Sequence, residues 1–237
     1  APLRWPRPEM RGAAGTADPG EAADGRAVAS GAWAVVLIAI SIAWVAWRAS
    51  VPGDASPVIA DPGFRHGLTV DPLPASGVAL HPSDVVVAVG GVSIDRLLRG
   101  GVDSMPQSPA GLAYQVRRDG RLAVAAISIG RHDVTSERLR ADGGGPLAAI
   151  AILGLGGYAT YRRRDASAAR SLLLLGAGLL AYSSFTTFSY DTSDLVFHRA
   201  VFITGFVGGI STLLVWSMAA SFLALTFPQP VAIVRRH

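Results

Sequence analysis

Residues able to do chemistry are spread thinly along this chain. Its histidines stand at 66, 81, 132, 198 and 237, and none has the H-E-x-x-H spacing that places two imidazoles and a general base on one helix face. There is no cysteine, which excludes disulfides, thiolate metal sites and cysteine nucleophiles. Ser211 and Ser217 lie in an apolar segment with no histidine to activate them. Tyr190-Asp191 matches half of an intramembrane aspartyl pair, but the G-x-G-D half is missing, and the surrounding SYDTSDLVFHR reads as a surface loop. Gly154-Leu155-Gly156-Gly157-Tyr158-Ala159 fits the dinucleotide pattern G-x-G-x-x-A, which must follow a strand and open a helix; here it sits inside an apolar run. His132-Asp133 and Ser83-Asp84 have no third partner and read as surface residues. These residues predict no catalytic site, no metal and no cofactor, and hence no enzyme within this chain.

The elements that would position such residues are mostly apolar. Half of the 237 residues are hydrophobic and only 16% are charged, which points to a membrane protein. All 21 basic residues are Arg. They cluster beside apolar segments, as at Arg162-Arg163-Arg164 and Arg235-Arg236, which is the pattern of topology signals rather than of a nucleic-acid surface.

Four transmembrane helices are predicted, at 30–47, 146–161, 171–188 and 200–227. The first, SGAWAVVLIAISIAWVAW, is uncharged over 18 residues and carries Trp33, Trp44 and Trp47 near its ends, where amphipathic rings prefer the interface. No charge falls within any of the four. Residues 1–29, rich in Ala, Gly, Pro and balanced charge, read as a disordered cytoplasmic tail, and 228–237 as a second. The chain begins at Ala and stops just after an apolar segment, which predicts that it is a piece of a longer protein. The loop Arg162–Arg170 carries four Arg and one Asp, whereas Ser189–Arg199 carries two Asp and one Arg. The first is therefore expected inside and the second outside. Both termini are then cytoplasmic, and residues 48–142 lie outside the plasma membrane of a bacterium. Gly205 and Gly209, spaced G-x-x-x-G, are expected to pack helices within the bundle, or across a homodimer.

Residues 48–142 are of another kind, with ten Arg, ten acids and regular Gly and Pro punctuation. Val85–Val89 has high β propensity, Gly90-Gly91 is a turn signal and Val92–Ile94 resumes the strand. Leu112–Arg118 and Leu122–Ile129 flank Asp119-Gly120, a strong two-residue hairpin signal. A small β-rich domain of at least four strands follows.

In order and spacing, Gly77–Asp84, Val85–Ile94 and Arg117–Ile129 resemble a PDZ domain over about residues 64–130. Ser83 stands where bacterial members usually have Gly, and Asp95–Pro109, where the groove helix belongs, holds two Gly and two Pro. The resemblance implies a peptide added as a strand, its carboxylate held by Phe64-Arg65-His66-Gly67-Leu68, with Leu68, Thr69 and Val70 beside it. The order of one span, an outside PDZ-like domain and closely spaced spans resembles the sensor half of bacterial quorum-sensing membrane histidine kinases; Arg163–Leu175 and Phe222–Pro228 carry that likeness.

The expected function is thus the input module of a membrane signalling protein, with the bilayer and an outside peptide or protein as partners. The alternatives are a non-catalytic envelope scaffold or adaptor, and the non-catalytic part of a membrane protease.

Overall fold

The computed structural model describes residues 19–54, 56–58, 67–70, 79–100, 112–129, 139–140, 142–163 and 166–226. Its elements run α1 (Pro19–Ser50), β1 (Leu68–Thr69), β2 (Val85–Val89), β3 (Val92–Ser93), α2 (Ile94–Leu98), β4 (Leu112–Arg118), β5 (Arg121–Ile127), α3 (Gly144–Arg162), α4 (Ser167–Thr187), α5 (Thr192–Phe197) and α6 (Arg199–Thr226).

Among the described residues, three helices are long and apolar enough to cross a membrane: Val28–Ser50, Ser167–Thr187 and Arg199–Leu225. The expected second span, 146–161, is helical, as α3, but falls outside this set. Its five glycines, two tyrosines and a proline dilute its apolar character. Two expectations about α1 are corrected. Residues 19–29 are helical rather than disordered: Pro suits a first helical position, and the Ala-rich run behind it has high helix propensity. The helix also runs past Trp47 to Ser50, so Arg48 lies inside the first candidate span.

Glycines set how close the bundle packs. A side-chain carbon at Gly156 would lie 2.5 Å from the Leu173 backbone nitrogen, and one at Gly176 the same distance from that of Leu153. Only hydrogen fits on either side, so α3 and α4 meet backbone to backbone. Helix α1 packs Ala34 and Leu37 against Ala177 and Ala181 of α4. On the other side of α4, Trp216 of α6 packs over Gly178.

The sheet is antiparallel, in the order β1-β2-β4-β5, with β3 pairing β2. Both expected turns form. Gly90 and Gly91 (φ 57° and 82°) join β2 to β3, and Asp119 and Gly120 (φ 50° and 78°) join β4 to β5. Positive φ at both central residues matches the right-handed twist of the flanking strands. In β4, Leu112, Tyr114 and Val116 point inward while Ala113 and Gln115 face out, the period-2 alternation of a half-buried strand. Ser93 caps α2 by accepting from the Arg96 backbone N–H, and α2 buries Ile94 and Leu97.

The inward face of this sheet does not close on itself. Its core of Leu68, Val70, Val86, Val89, Ile94, Leu97, Leu112, Tyr114, Val116 and Ile127 continues into Tyr190, Leu195 and Phe202. Those three belong to the α4–α5 connection, α5 and α6, so the β domain and the helices share one core. Burying each such side chain contributes about 1.5–3 kcal/mol.

Candidate functional site: a buried acidic joint

Where the sheet meets the bundle lies a cluster of charge shielded from solvent. Arg48, in the last turn of α1, ion-pairs with Asp191 and lies 3.4 Å from Asp194; its side chain is only 4% exposed and both acids are fully buried. Its Nε also donates to the Ser189 carbonyl at 3.2 Å and another guanidinium nitrogen to the Val51 carbonyl at 3.3 Å. A cation in the last turn of a helix is favoured by the helix dipole. One turn earlier, Trp44 stacks on Phe185 and donates its indole N–H to the Phe188 carbonyl. These contacts fasten the end of α1 to the end of α4.

Asp191 is the N-cap of α5. Asp194, three residues on, accepts from the Asp191 backbone N–H at 2.7 Å, and the Asp191 side chain caps the N–H at that third position. This reciprocal arrangement is a capping box. The third acid, Asp54, sits just after α1. It accepts from the Ser56 backbone N–H at 3.1 Å, from the Ser193 backbone N–H at 3.2 Å and from the Tyr114 hydroxyl of β4. One carboxylate therefore ties the loop after α1 to the sheet and to α5. The tie continues at Val58, whose N–H donates to the Tyr190 carbonyl at 3.1 Å. Pro57 pairs with Asp191, and Val58 pairs with Val70 on the outer side of β1.

Three carboxyl groups share this space with one guanidinium. Burial pushes the Asp54 carboxyl up to about 6, and neighbouring Asp191 adds to the effect. Burial likewise pushes Asp194 up to about 7, with Arg48 opposing. Burial raises the Tyr114 hydroxyl well above its usual range, so it stays a donor to Asp54. His198 is held below its usual value by burial and then by Arg48. Its Nδ1 lies 3.6 Å from Oδ1 of Asp194, and neither atom has a hydrogen-bond partner among the described residues. The hydroxyls of Thr192 and Ser193 are equally unpartnered among them. A buried, incompletely satisfied polar network of this kind is sensitive to protonation and to small displacements.

Sequence reasoning missed this site. The surface-loop reading of Tyr190-Asp191 is overturned: Tyr190 is 5% exposed, and Asp191, Thr192, Ser193 and Asp194 are fully buried. The D-x-x-D spacing before an apolar pair was the available signal, being the acidic form of a helix-start motif. Asp84 is also no surface residue. It is 2% exposed and accepts two hydrogen bonds from Arg118, at 2.9 and 2.6 Å, and one from the His81 backbone N–H. Those Arg118 bonds hold its carboxyl below the ordinary carboxylate range.

Of the expected peptide-binding residues, Phe64, Arg65 and His66 lie outside the described residues. Gly67 has φ 122°; Leu68 and Val70 are fully buried and Thr69 half-buried. Of the expected helix-packing pair, Gly205 is closed over by Tyr190 and Trp44 of the same chain, while a side-chain carbon at Gly209 would meet nothing within 4 Å. His132-Asp133 lies outside the described residues. Among the described residues no group of three or more His, Asp or Glu is placed to hold a metal ion. No protein-family model, curated protein or solved structure matches the chain.

Proposed function

We propose that this chain is a membrane input module, in which the β domain lies outside and the buried joint passes its state to the helices. The carrying observation is the segment Asp54–Val58. It accepts from Tyr114 and Ser193 through Asp54, bridges Val70 at the end of β1 through Val58, and donates to Tyr190. In this state Val58 occupies the outer side of β1, the edge along which a PDZ-type ligand would add. A peptide pairing there displaces Pro57–Val58, which releases Tyr190 and Asp191 at the same time. Binding at one place and rearrangement at another are then one event, the requirement for a ligand to shift a two-state equilibrium. In the four-span arrangement α3 crosses beside α4. Its 19 residues extend about 28 Å, close to the roughly 30 Å of a hydrocarbon core, and the glycine contacts with α4 support that placement. Both ends of the chain are then cytoplasmic.

The test is hydrogen exchange on the full chain in lipid nanodiscs, comparing wild type with Val58→Pro, which removes the donor to Tyr190. The reading expects faster exchange in β1 and β2, in Tyr190–Phe197 and in the outer turns of α1 and α6 together. Faster exchange confined to β1 overturns it. That result favours the adaptor reading, which is supported independently by the outward face of β5, where Leu122 and Val124 are each 71% exposed.

A further inference from the structure

Between α4 and α6, just below the joint, lies a cavity of about 310 Å³. Its walls are Tyr182 and Phe185 from α4, and Phe206, Ile210 and Leu213 from α6. The wall is open at Gly209, where an added side-chain carbon would touch nothing within 4 Å. From Gly205 to Leu213 the cavity follows about 12 Å of helix, at 1.5 Å per residue. Both helices are candidate spans, so this length runs from the membrane edge toward its interior. Its polarity is graded. Asp142, Thr186, Ser189 and Tyr190 line it along with the apolar walls, and no Arg or His among the described residues does.

We infer that this cavity binds a single-chain amphiphile, with its alkyl tail along Gly209–Leu213 and an uncharged or cationic head at Asp142. The volume is at the small end of ligand pockets, which suits one chain and not two. The graded lining requires a molecule apolar at one end and polar at the other. Asp142 is exposed, so solvent screens its charge; with no cation among the described lining residues, it disfavours a carboxylate or phosphate monoester head by a weak like-charge repulsion. A bound chain touches Tyr190, whose carbonyl accepts from Val58 and whose neighbour Asp191 pairs with Arg48. Occupancy of the cavity therefore bears on the joint from the membrane side. The site goes beyond the input-module reading and does not depend on it, because binding is measured with no signalling output.

The test uses the full chain in phosphatidylcholine nanodiscs and a dodecanol carrying a mid-chain diazirine, with photolabelled peptides mapped by mass spectrometry. Expected is saturable labelling of Tyr182–Thr186 and Phe206–Leu213. Unlabelled dodecanol and dodecyltrimethylammonium compete, and dodecanoate competes more weakly. Gly209→Leu fills the cavity and lowers the labelling at least about tenfold, while labelling of Val35–Ile42 on α1 is unchanged. Gly209→Ala, with a smaller intrusion, gives an intermediate loss, and unchanged thermal unfolding of both variants shows that they fold. Competition by lysophosphatidylcholine as strong as that by dodecanol assigns the natural occupant to the bilayer; competition by dodecanol and dodecyltrimethylammonium but not by lysophosphatidylcholine assigns it to a diffusible amphiphile. Unsaturable labelling, equal on α1 and α6, overturns the site. Equal competition by dodecanoate overturns the assignment of the head. Neither result bears on the Val58→Pro exchange experiment, so the two readings fail separately.

Discussion

Removing one charge from the Arg48–Asp191 pair is the sharpest perturbation of the joint. The Arg48 side chain is 4% exposed and that of Asp191 fully buried, so solvent screens little of their interaction. Replacing Asp191 by Asn keeps a good helix N-cap and removes only the charge. Breaking a buried pair by deleting one partner costs about 3–5 kcal/mol when the other charge is left without compensation. Arg48→Met meets that condition, since three carboxyls then share the space with no cation; Asp191→Asn should cost less, because Asp194 still lies 3.4 Å from Arg48. The absence of cysteine supplies the assay. A single Val58→Cys substitution places a thiol at a buried position whose backbone N–H donates to Tyr190, and maleimide reaches it only when the joint opens. At one decade per 1.4 kcal/mol, a loss of about 3–5 kcal/mol speeds labelling between about a hundredfold and a few thousandfold. The double variant, Arg48→Met with Asp191→Asn, removes both charges. Its penalty should fall short of the sum of the singles by at least about 1.5 kcal/mol. Single variants that accelerate labelling less than about threefold, or strictly additive effects, would refute the claim that this pair holds the sheet to the bundle.

Three further outcomes are expected. Asp54 and Asp194 are raised by burial to about 6 and about 7, so the folded state keeps protons that the unfolded chain releases near pH 4. The stability they contribute is fully present below about pH 4 and is lost as pH rises through 6 to 7; maleimide labelling of the Val58→Cys variant, divided at each pH by the rate for the denatured chain to remove thiol ionisation, should therefore quicken between pH 5 and 8, and adding Asp194→Asn should reduce that corrected rise. Ser83 has φ 68°, a conformation costing a residue with a Cβ about 1 kcal/mol or more, so Ser83→Gly should stabilise the β domain by about 1 kcal/mol in denaturant unfolding. Arg118→Ala removes both hydrogen bonds to the buried Asp84 carboxylate and should lower stability in denaturant unfolding. Because that carboxyl is held below its ordinary value, mainly by Arg118, its stabilisation is present above about pH 4 and lost on acidification, and the variant should lose less stability than wild type in that range.

Local signals in the sequence determined much of this molecule. The 18-residue uncharged run predicted a spanning helix, because hydrocarbon length and helix rise are fixed. Gly90-Gly91 and Asp119-Gly120 predicted two hairpins, because only such pairs accept positive φ at both central positions. The period-2 pattern of Leu112–Val116 set the buried face of β4. Tertiary structure alone decided the joint. Arg48 and Asp191 are 143 residues apart, and Asp54 is 60 from Tyr114. No local rule distinguishes an acid in a solvated loop from one paired across the fold. The two Asp of D-T-S-D read as surface because charge is normally costly to bury, and only the approach of Arg48 from another helix offsets that cost. The glycines divide in the same way. Their spacing along a helix marks a face that something can approach closely, but whether a neighbour fills it, as Tyr190 does at Gly205, or leaves it open, as at Gly209, depends on which side chains the rest of the chain brings there.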